Sequence, residues 1–268
     1  MIRFEALRRL ARAARNGARG LLFAVRHSRN PWQVVRGLLR QEGEAEIVLR
    51  DGTTISAPEA RTLVPLLLEI FVDRAYDREP VALRAGDVVV DIGAHAGTFA
   101  LYAVARGARR VIAYEPSPVN VAHARRNLER NGARAVELVE AAVAAEEGTA
   151  LLGLARYSVG NVLIGTVDEP TERSVEVRTT TLAGIFADHG IERLDYLKID
   201  CEGSEGALFA AAPADVLERI DRIALEYHDN WSSLDHEALA RLLRSAGFSV
   251  TTEPHGRSPF GMLRAWRT

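Results

Sequence analysis

The distribution of apolar residues along the chain changes near residue 86. Beyond it, continuous apolar runs such as Val88-Val89-Val90 and Val111-Ile112-Ala113 alternate with longer segments of helical periodicity. Apolar runs without polar alternation are typical of strands covered on both faces, and strand–helix alternation favours a doubly wound parallel sheet. We predict strands at 87–91, 109–114, 135–140, 195–200 and 222–227, with helices near 97–106, 117–131, 204–211 and 235–246.

Two segments depart from this alternation. Residues 248–252 and 262–267 flank a Pro/Gly-rich loop and predict a hairpin that completes a seven-stranded sheet. Residues 149–181 predict inserted short strands at Ala150–Leu154, Asn161–Gly165 and Val175–Thr181. The predicted fold class is therefore α/β: a Rossmann-like, mostly parallel sheet with helices on both faces and an N-terminal helical and hairpin extension.

The N-terminal 40 residues form a basic arm, with ten arginines, one acidic residue and a balance of +9. Its apolar residues share one face of a helix predicted over residues 2–25, and they are Phe4, Leu7, Leu10, Ala14, Ala18, Leu21, Leu22 and Val25. This face either packs on its own domain or lies on an anionic membrane surface, with contact through residues 1–28.

Residues 41–80 predict a hairpin followed by a helix. Asp51-Gly52 is a turn signal between two short apolar segments, and residues 59–76 carry helical periodicity. The predicted organisation is thus a basic arm at 1–40, a hairpin and helix packing on the core at 41–80, and the main domain at 81–268.

The composition indicates the cellular compartment in which the protein is expected. Cys201 is the only cysteine, so an intrachain disulfide is excluded, and no apolar run approaches the roughly 18 residues that span a bilayer. We expect a cytoplasmic protein, peripheral at the inner membrane face if the arm binds lipid. The net charge is −2 and no basic, aromatic-interleaved patch flanks the main domain's strand ends, so a nucleic acid partner is not expected.

A glycine loop follows the first main strand and carries the first chemical signal, from Asp91 to Thr98. Gly93 permits the sharp turn, and Gly97 lets the next helix approach a ligand closely. The helix start attracts a carboxylate, and Asp91 can accept from an ammonium group. Ala stands where the three-glycine dinucleotide pattern has its second glycine, which favours S-adenosylmethionine over a nicotinamide cofactor. Ala94 and His95 complete the loop.

The second strand strengthens this interpretation. It ends in Tyr114-Glu115-Pro116, and a carboxylate at this position can hold both ribose hydroxyls of a nucleoside. Ala142, after the third strand, is expected near the adenine. Tyr76 is expected to close over the methionine end of the cofactor.

Polar residues at the ends of the fourth and fifth strands predict the acceptor side, and they are Asp200, Glu202, Glu226 and His228. His228 is the natural general base because imidazole titrates near neutral pH, with Asp200 as its competitor and Glu226 beside it. Alternatively, these four residues bind Mg²⁺ or another divalent cation. A purely structural His228 is the third possibility. Lys198 is expected to pair with a nearby carboxylate.

The chain resembles the FkbM family of methyltransferases over roughly residues 65–255. The shared motifs are Asp91–Gly97, Tyr114-Glu115-Pro116, Thr179–Leu182, Tyr196–Glu205 and Leu225–His228. The resemblance implies a class I methyltransferase fold and methyl transfer from S-adenosylmethionine, typically to a hydroxyl of a sugar, polyketide or other natural product. Cys201 replaces a small hydrophobic residue of the family, and the arm lies outside the resemblance.

The leading prediction is an O-methyltransferase acting on a small-molecule, glycan or glycolipid acceptor. A non-catalytic scaffold or regulator that binds S-adenosylmethionine is the main alternative, and the glycine loop disfavours a nicotinamide oxidoreductase. The sequence leaves the acceptor, the methylated atom and the oligomeric state open.

Overall fold

The computed structural model describes residues 17–39, 43–155, 160–163, 173–256 and 258–267. The chain divides into two compact units, Met1–Asp73 and Arg74–Thr268. Residues 74–80, which the sequence interpretation grouped with the hairpin and helix, belong to the second unit. The first 16 residues of the predicted arm lie outside the described residues.

The first unit contains the expected hairpin. Asp51 Oδ1 accepts a hydrogen bond from the Thr53 N–H at 2.8 Å, and Gly52 takes a φ of +100°, which together close the turn. The helix predicted over 59–76 ends earlier, in a π-helical turn at Leu68–Val72. The elements of this unit are α1 (described over residues 17–27), α2 (Pro31–Leu39), β1 (Ala45–Val48), β2 (Thr54–Ala57) and α3 (Ala60–Leu67).

Helix α1 buries the side opposite to the predicted apolar face. Phe23 and Ala24 are each 1% exposed, whereas Leu21, Leu22 and Val25 are 49%, 50% and 64% exposed. The expectation that this face packs on its own domain is therefore wrong for the described turns of the helix. Within the described ranges no helix combines the length and apolar content needed to cross a bilayer.

The second unit is built on a seven-stranded sheet that confirms the predicted fold class. In chain order its strands are β3 (Val88–Ile92), β4 (Arg110–Tyr114), β5 (Val136–Val139), β10 (Tyr196–Ile199), β11 (Arg222–His228), β12 (Ser249–Pro254) and β13 (Phe260–Trp266). A second, four-stranded sheet contains β6 (Ala142–Val143), β7 (Gly148–Gly153), β8 (Val162–Leu163) and β9 (Ser174–Thr180). The helices are α4 (Thr98–Ala105), α5 (Pro118–Arg130), α6 (Leu182–Asp188), α7 (Glu205–Ala211), α8 (Ala214–Glu218) and α9 (His236–Ser245).

The order of the strands places a crevice at the centre of the main sheet. The order is β12-β13-β11-β10-β3-β4-β5, and only β13 pairs antiparallel with its two neighbours. From β3 the chain proceeds to β4 and β5 on one side, and later returns to β10 and β11 on the other. In open α/β sheets a ligand binds at this switch point, beyond the carboxyl ends of the two central strands.

The segment before β3 is anchored by the buried carboxylate of Asp77. Its Oδ1 accepts from the Leu83 N–H at 2.8 Å, and its Oδ2 accepts from the Tyr102 hydroxyl at 2.6 Å and Arg74 Nη2 at 2.7 Å. Burial raises the pKa of Asp77, but these hydrogen bonds outweigh it and hold the pKa below the usual range. The adjacent residue, Tyr76, is thereby held in a defined position.

We expect Asp77→Ala to lower the free energy of unfolding by about 3 kcal/mol, because it leaves buried donors and cationic groups without their acceptor. Since the folded pKa of Asp77 is lowered, its stabilisation is present at neutral pH and is lost as the pH falls through that pKa. Urea unfolding at pH 7 and at lower pH measures both effects.

The matched control is Glu237→Ala, which removes the exposed Glu237–Arg241 pair of α9 and should change the unfolding free energy by about 0.5 kcal/mol or less. Equal losses in the two variants would contradict the anchoring role of Asp77.

Candidate functional site

The glycine turn after β3 is shaped by its contact with the end of β10. Gly93 has a φ of +77°, and a Cβ at this position would lie 1.8 Å from the backbone carbonyl oxygen of Asp200. The N–H groups of Gly93 and Ala94 donate to the Tyr114 carbonyl at 3.0 and 2.9 Å. Because a side chain at residue 93 would collide with the end of β10, only glycine fits here. The turn joins the ends of β3 and β10, the two strands at the switch point of the sheet.

The start of α4 lies at the same end of β3 and faces the crevice. Gly97 precedes the helix with a φ of +74°, and a Cβ there would contact Ala124 Cβ of α5 at 3.4 Å. Thr98 is buried at the first helical position, and its Oγ1 has no hydrogen-bond partner among the described residues. The free N–H groups of a helix start favour a negatively charged ligand group.

Lys198 of β10 lies buried between two carboxylates. Its Nζ is 3.1 Å from Asp91 Oδ1 and 4.0 Å from Asp200 Oδ2, and it donates to the Gly93 carbonyl at 2.8 Å. The predicted pairing of Lys198 is thus confirmed. Burial raises the pKa of Asp91, although the Lys198 charge opposes the shift. Asp91 Oδ2 accepts no hydrogen bond in the described part of the chain, which leaves it for a ligand donor.

Glu115, at the end of β4, is hydrogen-bonded to the glycine loop. Its Oε2 accepts from the His95 N–H at 2.8 Å, and its Oε1 accepts from the Ser117 N–H at 2.9 Å and Asn120 Nδ2 at 3.1 Å. Burial raises the pKa of Glu115 despite these bonds. The carboxylate therefore ties the loop to β4, and the half-buried Pro116 follows it.

Two of the predicted cofactor residues, His95 and Ala142, have surroundings that the sequence did not predict. His95 has a φ of +49°, and burial lowers the pKa of its ring to about 4, so the ring is neutral at pH 7. Ala142 lies in β6, and its side chain packs with Leu152, Leu163 and Val177 of the smaller sheet. An adenine contact of Ala142 stays a prediction.

Tyr76 connects the glycine-turn side of the crevice with its acidic side. Its hydroxyl donates to Asp200 Oδ2 at 3.0 Å, and Lys198 Nζ lies 5.3 Å from the centre of its ring. Phe99 packs against the Tyr76 ring in a T-shaped arrangement, with 5.8 Å between ring centres. The structure thus brings Tyr76 together with Lys198 and Asp200, although Tyr76 and Asp200 are 124 positions apart in the chain.

His228 is buried between carboxylates at the end of β11. Its Nδ1 donates to Glu205 Oε1 at 2.9 Å, and its Nε2 lies 3.4 Å from Glu202 Oε2. Burial lowers the pKa of His228, but the bond to Glu205 and the charges of Glu205, Glu202 and Asp200 outweigh it and raise the pKa to about 10. In this arrangement the ring is an imidazolium at neutral pH.

Three of the four predicted metal ligands converge. One ligand atom each of Asp200, Glu226 and His228 lies within 4.8 Å of the other two. Glu202 is not in this group and faces His228 instead. Burial, followed by the charge of Asp200, raises the pKa of Glu202 to about 8.

The sequence places Glu205 in the acidic cluster after the fourth strand but assigns it no role, and two aromatic residues beside His228 were not predicted. Trp231 stacks on His228 with 5.7 Å between ring centres, and Phe260 lies 5.1 Å from the same ring. The position of Trp231, three residues after His228, was the only available signal. Phe260 enters through the β11–β13 pairing, opposite His228, which no local pattern reports.

Comparison with known proteins agrees with this geometry. Residues 91–250 match the family described as the methyltransferase FkbM domain. The chain belongs to the FkbM methyltransferase family. The 31-O-demethyl-FK506 methyltransferase FkbM of Streptomyces tacrolimicus is 32% identical to it over 234 residues, which cover 76% of this chain and 89% of that relative. Methyltransferase sdnD of Sordaria araneosa is 27% identical over 232 residues, covering 74% and 88%.

A solved structure supports the fold of this FkbM-family protein. The crystal structure of methyltransferase FkbM from Methylobacillus flagellatus KT matches with a TM-score of 0.50 and 14% identity, covering 77% of this chain and 54% of that one. The predicted class I methyltransferase fold is thus confirmed. Family membership identifies an S-adenosylmethionine-dependent methyltransferase. The unpartnered oxygens of Asp91 and Thr98 beside the glycine turn fit a ligand that carries an ammonium and a carboxylate.

We expect Gly93→Ala to destabilise the protein far more than Gly86→Ala. Both glycines have positive φ, at +77° and +90°, so both substitutions cost about 1–2 kcal/mol of backbone strain. Only the methyl group added at residue 93 would collide with backbone atoms. The Gly93→Ala variant should therefore lose about 2 kcal/mol more unfolding free energy than the Gly86→Ala variant. Urea unfolding and calorimetric titration with S-adenosylhomocysteine measure this, and Gly93→Ala should also lose cofactor affinity. Similar behaviour of the two variants would refute the close approach.

Proposed function

We propose that this methyltransferase transfers the methyl group to a hydroxyl oxygen of a small molecule, glycan or glycolipid. The observation that carries the proposal is the position of Asp200. Its carboxylate contacts Tyr76 and lies 4.0 Å from Lys198 on the cofactor side, and it also belongs to the cluster with Glu226 and His228. A hydroxyl held by that cluster would therefore lie next to the cofactor site. The name of the relative from Streptomyces tacrolimicus specifies an oxygen as the methylated atom of its own substrate.

The cofactor role is assigned to residues around the switch point. Asp91 Oδ2 would accept from the cofactor ammonium, the start of α4 would face its carboxylate, and Glu115 would hold the ribose hydroxyls. When bound, S-adenosylmethionine supplies an electrophilic methyl group on a sulfonium. The full proposed set is Tyr76, Asp91, Gly93, Ala94, His95, Gly97, Thr98, Glu115, Pro116, Ala142 and Asp200.

The acceptor role is assigned to Asp200, Glu226 and His228. Asp200 Oδ1 has no hydrogen-bond partner among the described residues, so it is the atom best placed to take up the proton of an acceptor hydroxyl. His228 faces carboxylates with both ring nitrogens, an arrangement that suits holding them in place better than accepting a proton. Positioning and one proton acceptor supply most of the catalysis that an activated methyl group requires.

A divalent cation is part of the proposal. The convergence of Asp200, Glu226 and His228 supports it, with Glu202 beside His228 rather than as a fourth ligand. A bound cation would orient the acceptor hydroxyl and lower its pKa.

A lipid surface is the proposed setting of the reaction. Leu21, Leu22 and Val25 expose apolar side chains on one face of α1, in a segment of 40 residues whose charge balance is +9. Apolar residues flanked by arginines suit peripheral contact with an anionic membrane. A lipid-linked or glycolipid acceptor would be reached most directly from that surface.

The test of the function is methyl transfer from tritiated S-adenosylmethionine to a panel of hydroxyl-bearing acceptors, with the product mapped by NMR. We expect oxygen methylation, and we expect Glu115→Gln to weaken S-adenosylhomocysteine binding by about 10- to 100-fold, because it replaces a charged acceptor of three hydrogen bonds.

Glu129→Gln, on the exposed side of α5, is the matched control and should bind the cofactor normally. Tight cofactor binding without transfer to any acceptor would favour the scaffold alternative. A product methylated on nitrogen or carbon would overturn the oxygen assignment.

The membrane proposal predicts that Leu21→Ser/Leu22→Ser reduces co-sedimentation with phosphatidylglycerol vesicles by at least about 10-fold, because two apolar anchors are lost. Val119→Ser/Leu151→Ser removes apolar side chains of similar exposure, 56% and 49%, outside the arm and should leave binding unchanged. Binding of the native chain to neutral phosphatidylcholine vesicles should be weaker. Equal sedimentation of all three proteins would disprove the proposal.

A further inference from the structure

Glu205 fixes the orientation of His228. The Glu205 carboxylate is fully buried, and its Oε1 accepts from His228 Nδ1 at 2.9 Å and from the Gly203 N–H at 3.2 Å. Histidines that bind metals almost always donate their second ring N–H to a carboxylate or carbonyl. Because Nδ1 is held by Glu205, Nε2 is the imidazole atom that would coordinate a metal ion, and the ion would displace the Nε2 proton that faces Glu202 Oε2 at 3.4 Å.

Aromatic rings hold the imidazole in this orientation. Trp231 is parallel to it within 5°, with 5.7 Å between ring centres, and Phe260 packs at 57° and 5.1 Å. The ring is 3% exposed, so it has no room to rotate towards solvent. Packing and the Glu205 bond together predefine the direction of Nε2, as a metal site requires.

The donor set distinguishes between classes of cation. Asp200 and Glu226 offer carboxylate oxygens, and His228 offers an imidazole nitrogen, all within 4.8 Å. Mg²⁺ and Ca²⁺ are bound by oxygen ligands, whereas imidazole suits first-row transition metals. Glu205 adds a buried carboxylate beside the ring, which favours a cation further.

We infer that Asp200, Glu226 and His228 form a site for a divalent first-row transition-metal ion, such as Mn²⁺, Fe²⁺ or Co²⁺, in preference to Mg²⁺. Glu205 acts as the positioning residue of His228. The role of the ion in catalysis rests on the proposed function. The binding of the ion does not, because it is measured without methyl transfer. In that use the ion would hold the acceptor hydroxyl beside the cofactor site.

The test is titration of the chelator-treated, full-length protein with Co²⁺, followed by visible absorption, and with Mn²⁺ and Mg²⁺, followed by calorimetry. We expect one Co²⁺ per chain, Mn²⁺ binding at least about 10-fold tighter than Mg²⁺, and loss of the Co²⁺ spectrum in Glu226→Gln. Glu205→Gln should weaken Co²⁺ binding by about 10- to 100-fold and alter the spectrum, because the ring loses its carboxylate partner.

The control is Glu137→Gln, which removes a carboxylate from another histidine, His189 at 3.3 Å, and should leave Co²⁺ binding unchanged. Absence of saturable Co²⁺ and Mn²⁺ binding, or equal affinity for Mg²⁺, would overturn the inference. If Glu205→Gln fails to fold by circular dichroism, the partly exposed ligand variant Glu226→Gln decides. Metal binding without hydroxyl methylation would overturn the proposed function alone, and methylation without metal binding would overturn the site alone.

Discussion

The central part of the main sheet is organised around the buried ammonium group of Lys198. Asp91 has no exposed surface, and a carboxylate in that position costs several kcal/mol unless a cation accompanies it. Lys198 supplies that cation from the neighbouring strand and also binds the Gly93 carbonyl. The ion pair therefore joins β3 to β10 where the direction of strand order reverses. The glycine turn, the Asp200 carboxylate and the Tyr76 ring all take their positions around it.

The features that could be predicted from the sequence are those specified by neighbouring residues. Apolar runs such as Val88-Val89-Val90 are strands because nothing in them suits a solvated surface, and the Asp91–Gly97 turn is encoded in a few consecutive residues. Short elements were harder to predict. The two-residue strand β6 exists because Ala142 and Val143 pair with Thr179 and Thr180, and this partner is distant in the chain.

The remaining features depend on residues that only the folded chain brings together. The environment of His228 is set by Glu205, 23 residues away, and by Phe260 on an adjacent strand. An amphipathic pattern in α1 predicts that two faces differ, but the partner that buries one of them is a tertiary property. For that reason Phe23 and Ala24, rather than Leu21 and Leu22, are buried.

Lys198 is the only lysine of the chain, and its side chain is 4% exposed. Every other basic side chain apart from histidine is a guanidinium, which amine-directed reagents do not modify. Acylation of a lysine side chain in this protein can therefore occur only at the crevice beside the glycine turn, and only when the ion pair with Asp91 opens. The rate at which Lys198 itself is labelled, read from its own peptide, would therefore report the opening of the crevice without interference from any other lysine side chain.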